Sequence, residues 1–189
     1  IPYTHSGIIS SLNAMNKIIS KKIFIANKIR TPKYFILNKT DYSGKNLKKL
    51  IQKKRITFPI VSKPINEGSS IGVKICLNFK SLKKHSKFLL KKYDDIINES
   101  FIGGQEIQVA TINNKALGAI ELRPKRNFYD YKAKYSKSAK TEHIMPADLT
   151  KKNYKKVLKI AEKTHKALKC RGVTRCDFKF WKNKFYLLE

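Results

Sequence analysis

The sequence predicts an α+β protein. Short apolar runs of strand length are bounded by Gly, Pro, Asn and Asp. Longer segments repeat their apolar residues at the helical period. The two kinds of segment mix without a regular βαβ alternation, which argues against a doubly wound parallel sheet.

Taken in order, residues 6–28 place Ile8, Leu12, Met15, Ile18, Ile19 and Ile23 at helical spacing. Ser6 is the expected cap, and Asn16 caps a second helix. Thr31-Pro32 ends it, and Tyr34 to Leu37 reads as a strand. After the loop Asp41–Gly44, Lys45 to Arg55 is a short basic amphipathic helix. Pro59 to Val61 and Ile71 to Ile75 read as adjacent strands. Asn78 caps a helix running to Tyr93, with Leu82, Phe88 and Leu89 facing inward. Asp94-Asp95 breaks the pattern and marks a domain boundary.

Ile96 to Glu99 is then a strand and Phe101 to Gln105 a turn. Glu106 to Ile112 and Ala116 to Leu122 form a hairpin around Asn113-Asn114. Residues 123–141 are polar, aromatic and basic without period, as in a functional lid. Thr150 to Lys169 is a clear amphipathic helix. Val173 to Phe180 and Lys184 to Leu188 make a last hairpin around Lys182-Asn183.

At 189 residues the chain can bury a sizeable core, and no apolar run is long enough to span a membrane. It opens on Ile1 and closes on an apolar strand at Glu189, so both ends read as cut. Lys and Arg total 42 against 13 Asp and Glu, a net charge of +29. Such a charge fits nucleic acid or an anionic surface. However, 36 of these residues are lysine and only 6 arginine, and they are spread through every segment. Surfaces that read bases or grip phosphates in two-point fashion favour arginine. The expectation is a diffuse solvated coat and no specific nucleic-acid partner. Cys76, Cys170 and Cys176 form no CxxC pair, which fits a reducing, cytoplasmic setting and no zinc site.

Three constellations carry chemistry. Between the two central strands lies Asn66-Glu67-Gly68-Ser69-Ser70, a loop whose backbone amides can approach an anion. Lys63, at the end of the first strand, is placed to reach the same anion. The pattern is not a P-loop, since no Gly-Lys-Ser/Thr opens a helix, and an ordinary hairpin has the same ingredients. Second, Glu99 and Glu106 flank the Phe101–Gln105 turn, where backbone groups can read a base edge and an acid can hold ribose hydroxyls. Third, Arg175 and Asp177 lie two apart on one strand and share a face. Glu189, on the partner strand, can stand beside Asp177. Two carboxylates suit a hard cation completed by phosphate oxygens, and a cross-strand salt bridge is the alternative.

These stretches resemble a known family. Lys63-Pro-Ile-Asn-Glu-Gly-Ser-Ser-Ile-Gly72, Glu99-Ser-Phe-Ile-Gly-Gly-Gln-Glu106, Tyr129-Asp-Tyr-Lys-Ala-Lys-Tyr135 and Arg175-Cys-Asp177 through Tyr186-Leu-Leu-Glu189 occur in that order. Together with Pro2–Gly7 and Ala14–Lys17, they resemble the D-alanine–D-alanine ligases, ATP-grasp enzymes of peptidoglycan precursor synthesis. The resemblance implies an ATP-grasp fold of two α+β subdomains with the nucleotide cleft between them. It divides the chain into the end of an N-terminal domain (1–16), the small subdomain (17–95) and a C-terminal subdomain (96–189).

By the same resemblance, Lys17, Lys63 and Lys134 contact ATP phosphates beside the loop residues Glu67, Gly68 and Ser70. Glu99 and the Phe101–Ile102 backbone hold adenine, and Glu106 holds ribose. Ser69 and Tyr135 close over D-alanine. Arg175 stabilises the acyl phosphate and tetrahedral intermediate, and Asp177 and Glu189 ligate Mg²⁺ (or Mn²⁺). ATP phosphorylates one D-alanine, and the amine of a second attacks the acyl phosphate. Homodimerisation is left open.

The sequence departs from the family at Asn16, where an acid is frequent. The family's acidic partner of Ser69 and Tyr135, and its Asn ligand just after the position of Glu189, are not in the sequence. The chain alone is therefore expected not to be a competent ligase. Two other readings stay open: a related ATP-grasp ligase, including one using D-lactate, and a basic nucleic-acid-binding module.

Overall fold

The computed structural model describes residues 3–124 and 141–189. Lys134 and Tyr135 lie outside the described residues. The chain forms two compact units, Pro32–Ile102 and a second made of Ile1–Thr31 with Gly103–Glu189. The first is called here the insert and the second the flanking unit.

The insert contains β1 (Tyr34–Asn38), α1 (Gly44–Lys54), β2 (Ile60–Pro64), β3 (Lys74–Cys76), α2 (Phe79–Leu89) and β4 (Asp95–Ser100). Its antiparallel sheet has the order β1-β4-β2-β3. Ser43 caps α1 by accepting from the Asn46 amide, and Asn78 caps α2 by accepting from that of Ser81. Leu47, Leu82 and Leu89 drop from these helices onto Phe35, Leu37, Ile60 and Ile96. Full burial of each such side chain contributes about 1.5–3 kcal/mol.

Three expectations change here. β4 is an inner strand bonded on both sides, so the units part after Ile102 rather than at Asp94-Asp95. The second central strand is only Lys74–Cys76, because Ser69, Ser70 and Gly72 all take positive φ. Phe88, expected inward, is 66% exposed. The buried stripe of its helix is Leu82, Ser86 and Leu89, at i, i+4 and i+7, and Phe88 falls off it.

The flanking unit starts with two helices, Ile8–Met15 and Lys17–Ala26, separated by Asn16. Asn16 accepts from the amides of Ile18 and Ile19 and so starts the second helix. Ser6 does not cap the first helix. Its hydroxyl donates to the Arg171 carbonyl and accepts from the Arg171 amide. Phe24 and Ile29 belong to this unit's core, so residues 17–31 fall in this unit rather than in a small subdomain of residues 17–95.

The sheet of the flanking unit comprises β5 (Gln105–Ile112), β6 (Lys115–Arg123), β7 (Glu142–Ile144), β8 (Val173–Trp181) and β9 (Lys184–Leu187). All its pairs are antiparallel, in the order β7-β6-β5-β8-β9. The helix Lys151–Ala167 is capped by Thr150 and packs on β5, β6 and β8. Ile107, Val109, Cys176 and Phe178 face it in the core. Strand alternation puts Glu106, Gln108, Arg175, Asp177 and Lys179 on the opposite face.

Many of the described lysines coat solvent faces in both units. On the insert helices these include Lys48, Lys53, Lys83 and Lys87, and on the flanking helix Lys152, Lys156, Lys159 and Lys163. That is the diffuse coat the composition predicted. Among the described residues no helix is long and apolar enough to cross a membrane.

Candidate functional site

In the insert, the polar residues gather around β2 and the turn that follows it. Lys63 lies inside β2, opposite Ile97 of β4, and its side chain is 11% exposed. Its Nζ sits 3.0 Å from Oε2 of Glu99, whose side chain is 3% exposed. Glu99 stands opposite Tyr34 on one side and Val61 on the other. Burial pushes the Tyr34 phenol up, and the Glu99 charge adds to the shift. Sequence spacing placed Lys63 and Glu99 in separate roles, and the sheet order makes them a buried ion pair.

The turn 66–73 follows. Ser69, Ser70 and Gly72 hold φ of 49°, 63° and 68°. The Ile71 amide donates to the Gly68 carbonyl at 3.0 Å, and the Val73 amide to the Ser70 carbonyl at 3.2 Å. Glu67 accepts from the Tyr93 hydroxyl at 2.7 Å, with the Lys92 ammonium 4.0 Å away. Only glycine fits at 72, since a Cβ there would lie 2.9 Å from the Pro64 ring. After β4, the Phe101 amide donates to the Pro59 carbonyl at 3.1 Å, and Ile102 is half-buried.

In the flanking unit, the polar face of β5 and β8 holds the second set. Arg175 grips Asp177 at two points, Nε to Oδ1 at 2.7 Å and an Nη to Oδ2 at 3.0 Å. Gln108, directly across on β5, donates to Asp177 Oδ2 at 3.3 Å. Past the end of β9, the Asp177 amide donates to the Glu189 carbonyl and the Leu188 amide to the Asp177 carbonyl, both at 2.8 Å. Main-chain bonds thus put Glu189 beside Asp177, as expected. The Arg175–Asp177 ion pair runs along one strand and is not the cross-strand bridge the sequence allowed. Lys17, 7% exposed at its side chain, lies 3.7 Å from Glu189 Oε2. Two registers along, Lys179 pairs with Glu106 at 2.9 Å.

Several polar partners were missed by sequence reasoning. Gln108 and Lys179 could have been found from strand alternation, which puts them on the face of Glu106 and Asp177. Lys21 is fully buried and its Nζ donates to the Thr31 hydroxyl at 2.6 Å. Glu121 is buried and receives Arg123 at 2.7 Å and Gln105 at 3.1 Å, while Arg123 also reaches Asp148 at 3.0 Å. No short-range pattern marks Lys21 or Asp148. Between Arg175 and Asp177, burial pushes the Cys176 thiol up to about 12, which leaves it inert.

A family model described as the D-ala D-ala ligase C-terminus matches residues 23–189. The chain belongs to the D-alanine–D-alanine ligase family. The D-alanine–D-alanine ligase of Pelagibacter ubique is 58% identical over 189 residues, which cover all of this chain and 61% of that relative. The solved D-alanine–D-alanine ligase of Bacillus anthracis aligns over the whole chain with TM-score 0.83 and 34% identity, covering 60% of its own length. A structure of the same ligase complexed with ATP aligns with TM-score 0.81 and 29% identity, covering 58%. The chain therefore spans about 60% of the length of these ligases. Its α+β architecture is the ATP-grasp fold of the D-alanine–D-alanine ligase family.

Proposed function

We propose that this chain is the nucleotide- and cation-binding part of an ATP-dependent D-alanine–D-alanine ligase that serves peptidoglycan precursor synthesis in the cytoplasm. The observation that carries the reading is the Asp177 set: a carboxylate gripped at two points by Arg175 and tied through the main chain to a second carboxylate, Glu189.

A hard divalent cation such as Mg²⁺ fits that donor set. Both side chains offer carboxylate oxygen, the hard donor such a cation takes, and Arg175 and Lys17 stand beside them. Asp177 and Glu189 would hold the cation, which supplies charge neutralisation to bound phosphates. Arg175 is 58% exposed at its side chain and can turn from Asp177 toward charge developing on a transferred phosphoryl group. Glu106, held by Lys179, takes ribose hydroxyls.

In the insert, the Gly68–Ser70 amides and Lys63 receive phosphate oxygens, and Glu99 with the Phe101–Ile102 backbone reads the adenine edge. Lys17 and Lys134 add charge toward the phosphates. Ser69 and Tyr135 are assigned to the D-alanine site on the family resemblance. ATP then phosphorylates the carboxylate of one D-alanine, and the amine of a second displaces phosphate. The protein contributes position and charge, as phosphoryl transfer demands.

The test extends the chain to the full length of its relatives and measures dipeptide and phosphate formation from D-alanine and ATP. D-alanyl-D-alanine with equimolar phosphate supports the reading. A product formed from D-lactate in preference to D-alanine assigns the chain to the depsipeptide-forming alternative.

A further inference from the structure

The turn at 66–73 is held in a conformation its own sequence disfavours. Two of its three left-handed residues are serines, Ser69 and Ser70. Each side chain in that region carries a penalty of roughly 1–2 kcal/mol. Conformations of this kind persist where the surroundings impose them. The imposing groups come from α2, the residues that follow it, and Pro64 at the end of β2. Tyr93 fastens the start of the turn through Glu67. At its end, Leu89 and the Pro64 ring leave room for nothing larger than glycine at position 72. His85 adds a further contact: its ring nitrogen Nε2 lies 3.0 Å from the Gly72 carbonyl oxygen, and the ring also reaches the Ser62 backbone on β2.

A carbonyl oxygen only accepts, so Nε2 carries the proton and donates. The peptide unit receiving it joins Gly72 to Val73. The other end of the same unit, the Val73 amide, donates to the Ser70 carbonyl at 3.2 Å. One peptide plane is therefore fixed from both ends, by His85 on the helix side and by Ser70 inside the turn. Rotating that plane away from His85 also takes the Val73 amide away from Ser70. His85 itself is half-buried and stacked on Phe88, with ring centroids 6.0 Å apart.

We propose that His85 is a positioning residue for the turn: by holding the Gly72–Val73 peptide, it keeps Gly68–Ser70 arranged for phosphate. The proposal rests on the reading of this turn as a phosphate grip. Two substitutions separate it from a space-filling role. His85→Phe keeps a ring for Phe88 and loses the donor. His85→Gln loses the ring and keeps an N–H at similar reach. A packing role favours the Phe variant, and a positioning role favours Gln.

The readouts are amide hydrogen exchange at Ile71 and Val73, with core amides of β4 as the internal standard, and ATP affinity in Mg²⁺. In His85→Phe, exchange at Val73 should rise and ATP affinity fall by roughly tenfold each, the weight of one hydrogen bond, with β4 unchanged. His85→Gln should stay near the wild type in both. The nitrogen chemical shifts of His85 in the wild-type chain need no variant and should show the proton on Nε2. Wild-type exchange in His85→Phe, or a proton on Nδ1 alone, overturns the proposal. If exchange follows the donor but wild-type chain binds no ATP, His85 holds the turn and the phosphate reading is what fails.

Discussion

The two polar sets are built by different means. In the flanking unit, Glu106, Gln108, Arg175, Asp177 and Lys179 stand on the outer face of paired strands, and the inner face of those strands is core. Their spacing is inherited from the sheet. In the insert, the anion-binding candidates sit on a turn whose shape is imposed by Tyr93, His85, Leu89 and Pro64. The first arrangement is local and periodic. The second depends on side chains many residues away, so small changes in α2 should reach it and leave the β5–β8 face alone.

The largest effect to expect comes from the sheet set. Asp177→Asn in the extended protein should lower dipeptide formation by roughly a hundredfold or more, above the usual loss for a group one shell out from a metal. Urea unfolding should remain cooperative, with a loss of about 1.5–3 kcal/mol from the weakened Arg175 contact, and an active Asp177→Asn protein would remove this carboxylate from the mechanism. Next, Lys63→Met deprives buried Glu99 of its lysine and should destabilise the chain by about 3–5 kcal/mol. Adding Glu99→Gln should recover most of that loss, and failure to recover it would mean the pair is not the source.

A smaller effect tests the turn. Gly72→Ala combines φ of +68° with a Cβ 2.9 Å from Pro64 and should cost about 1–3 kcal/mol. Gly68→Ala, with nothing within 4 Å of the added Cβ, should be nearly silent in stability. The smallest effect is with pH. Burial lowers the pKa of both His85 and His165 from the ordinary 6.5, with Lys74 adding to the shift at His85 and the Gly72, Ser62 and Cys170 carbonyls opposing it. Neutral rings are thus favoured by the fold. Their contribution is complete above pH 6.5 and is lost as pH falls below it, so thermal melts between pH 7.5 and pH 5 should show a modest decline.

The same contrast governs what was legible in the sequence. Alternation was enough to place Arg175 with Asp177, and the final hairpin brought Glu189 near, because a strand fixes its own faces. The caps Asn16 and Asn78 were readable because capping is a local side-chain bond. The Lys63–Glu99 pair was not, since it requires β4 to lie between β1 and β2, and strand order is set by the whole sheet. The shortening of β3 escaped for a related reason: two serines adopt left-handed backbone only under constraint from α2 and its neighbours. The boundary at Asp94-Asp95 was drawn on a local break, but Asp94 is only a bend and Asp95 already opens the inner strand β4.

Both polar sets are proposed to serve ATP. Calorimetric titration of the chain with ATP, with and without Mg²⁺, tests this most directly, using wild type, Lys63→Ala and Asp177→Asn. Wild type should bind one ATP. Lys63→Ala should weaken binding by about 1.5–3 kcal/mol, the range for a charged hydrogen bond. In Asp177→Asn, the affinity gained on adding Mg²⁺ should shrink. No ATP binding by the folded wild-type chain, or equal affinity in all three proteins, would contradict the account.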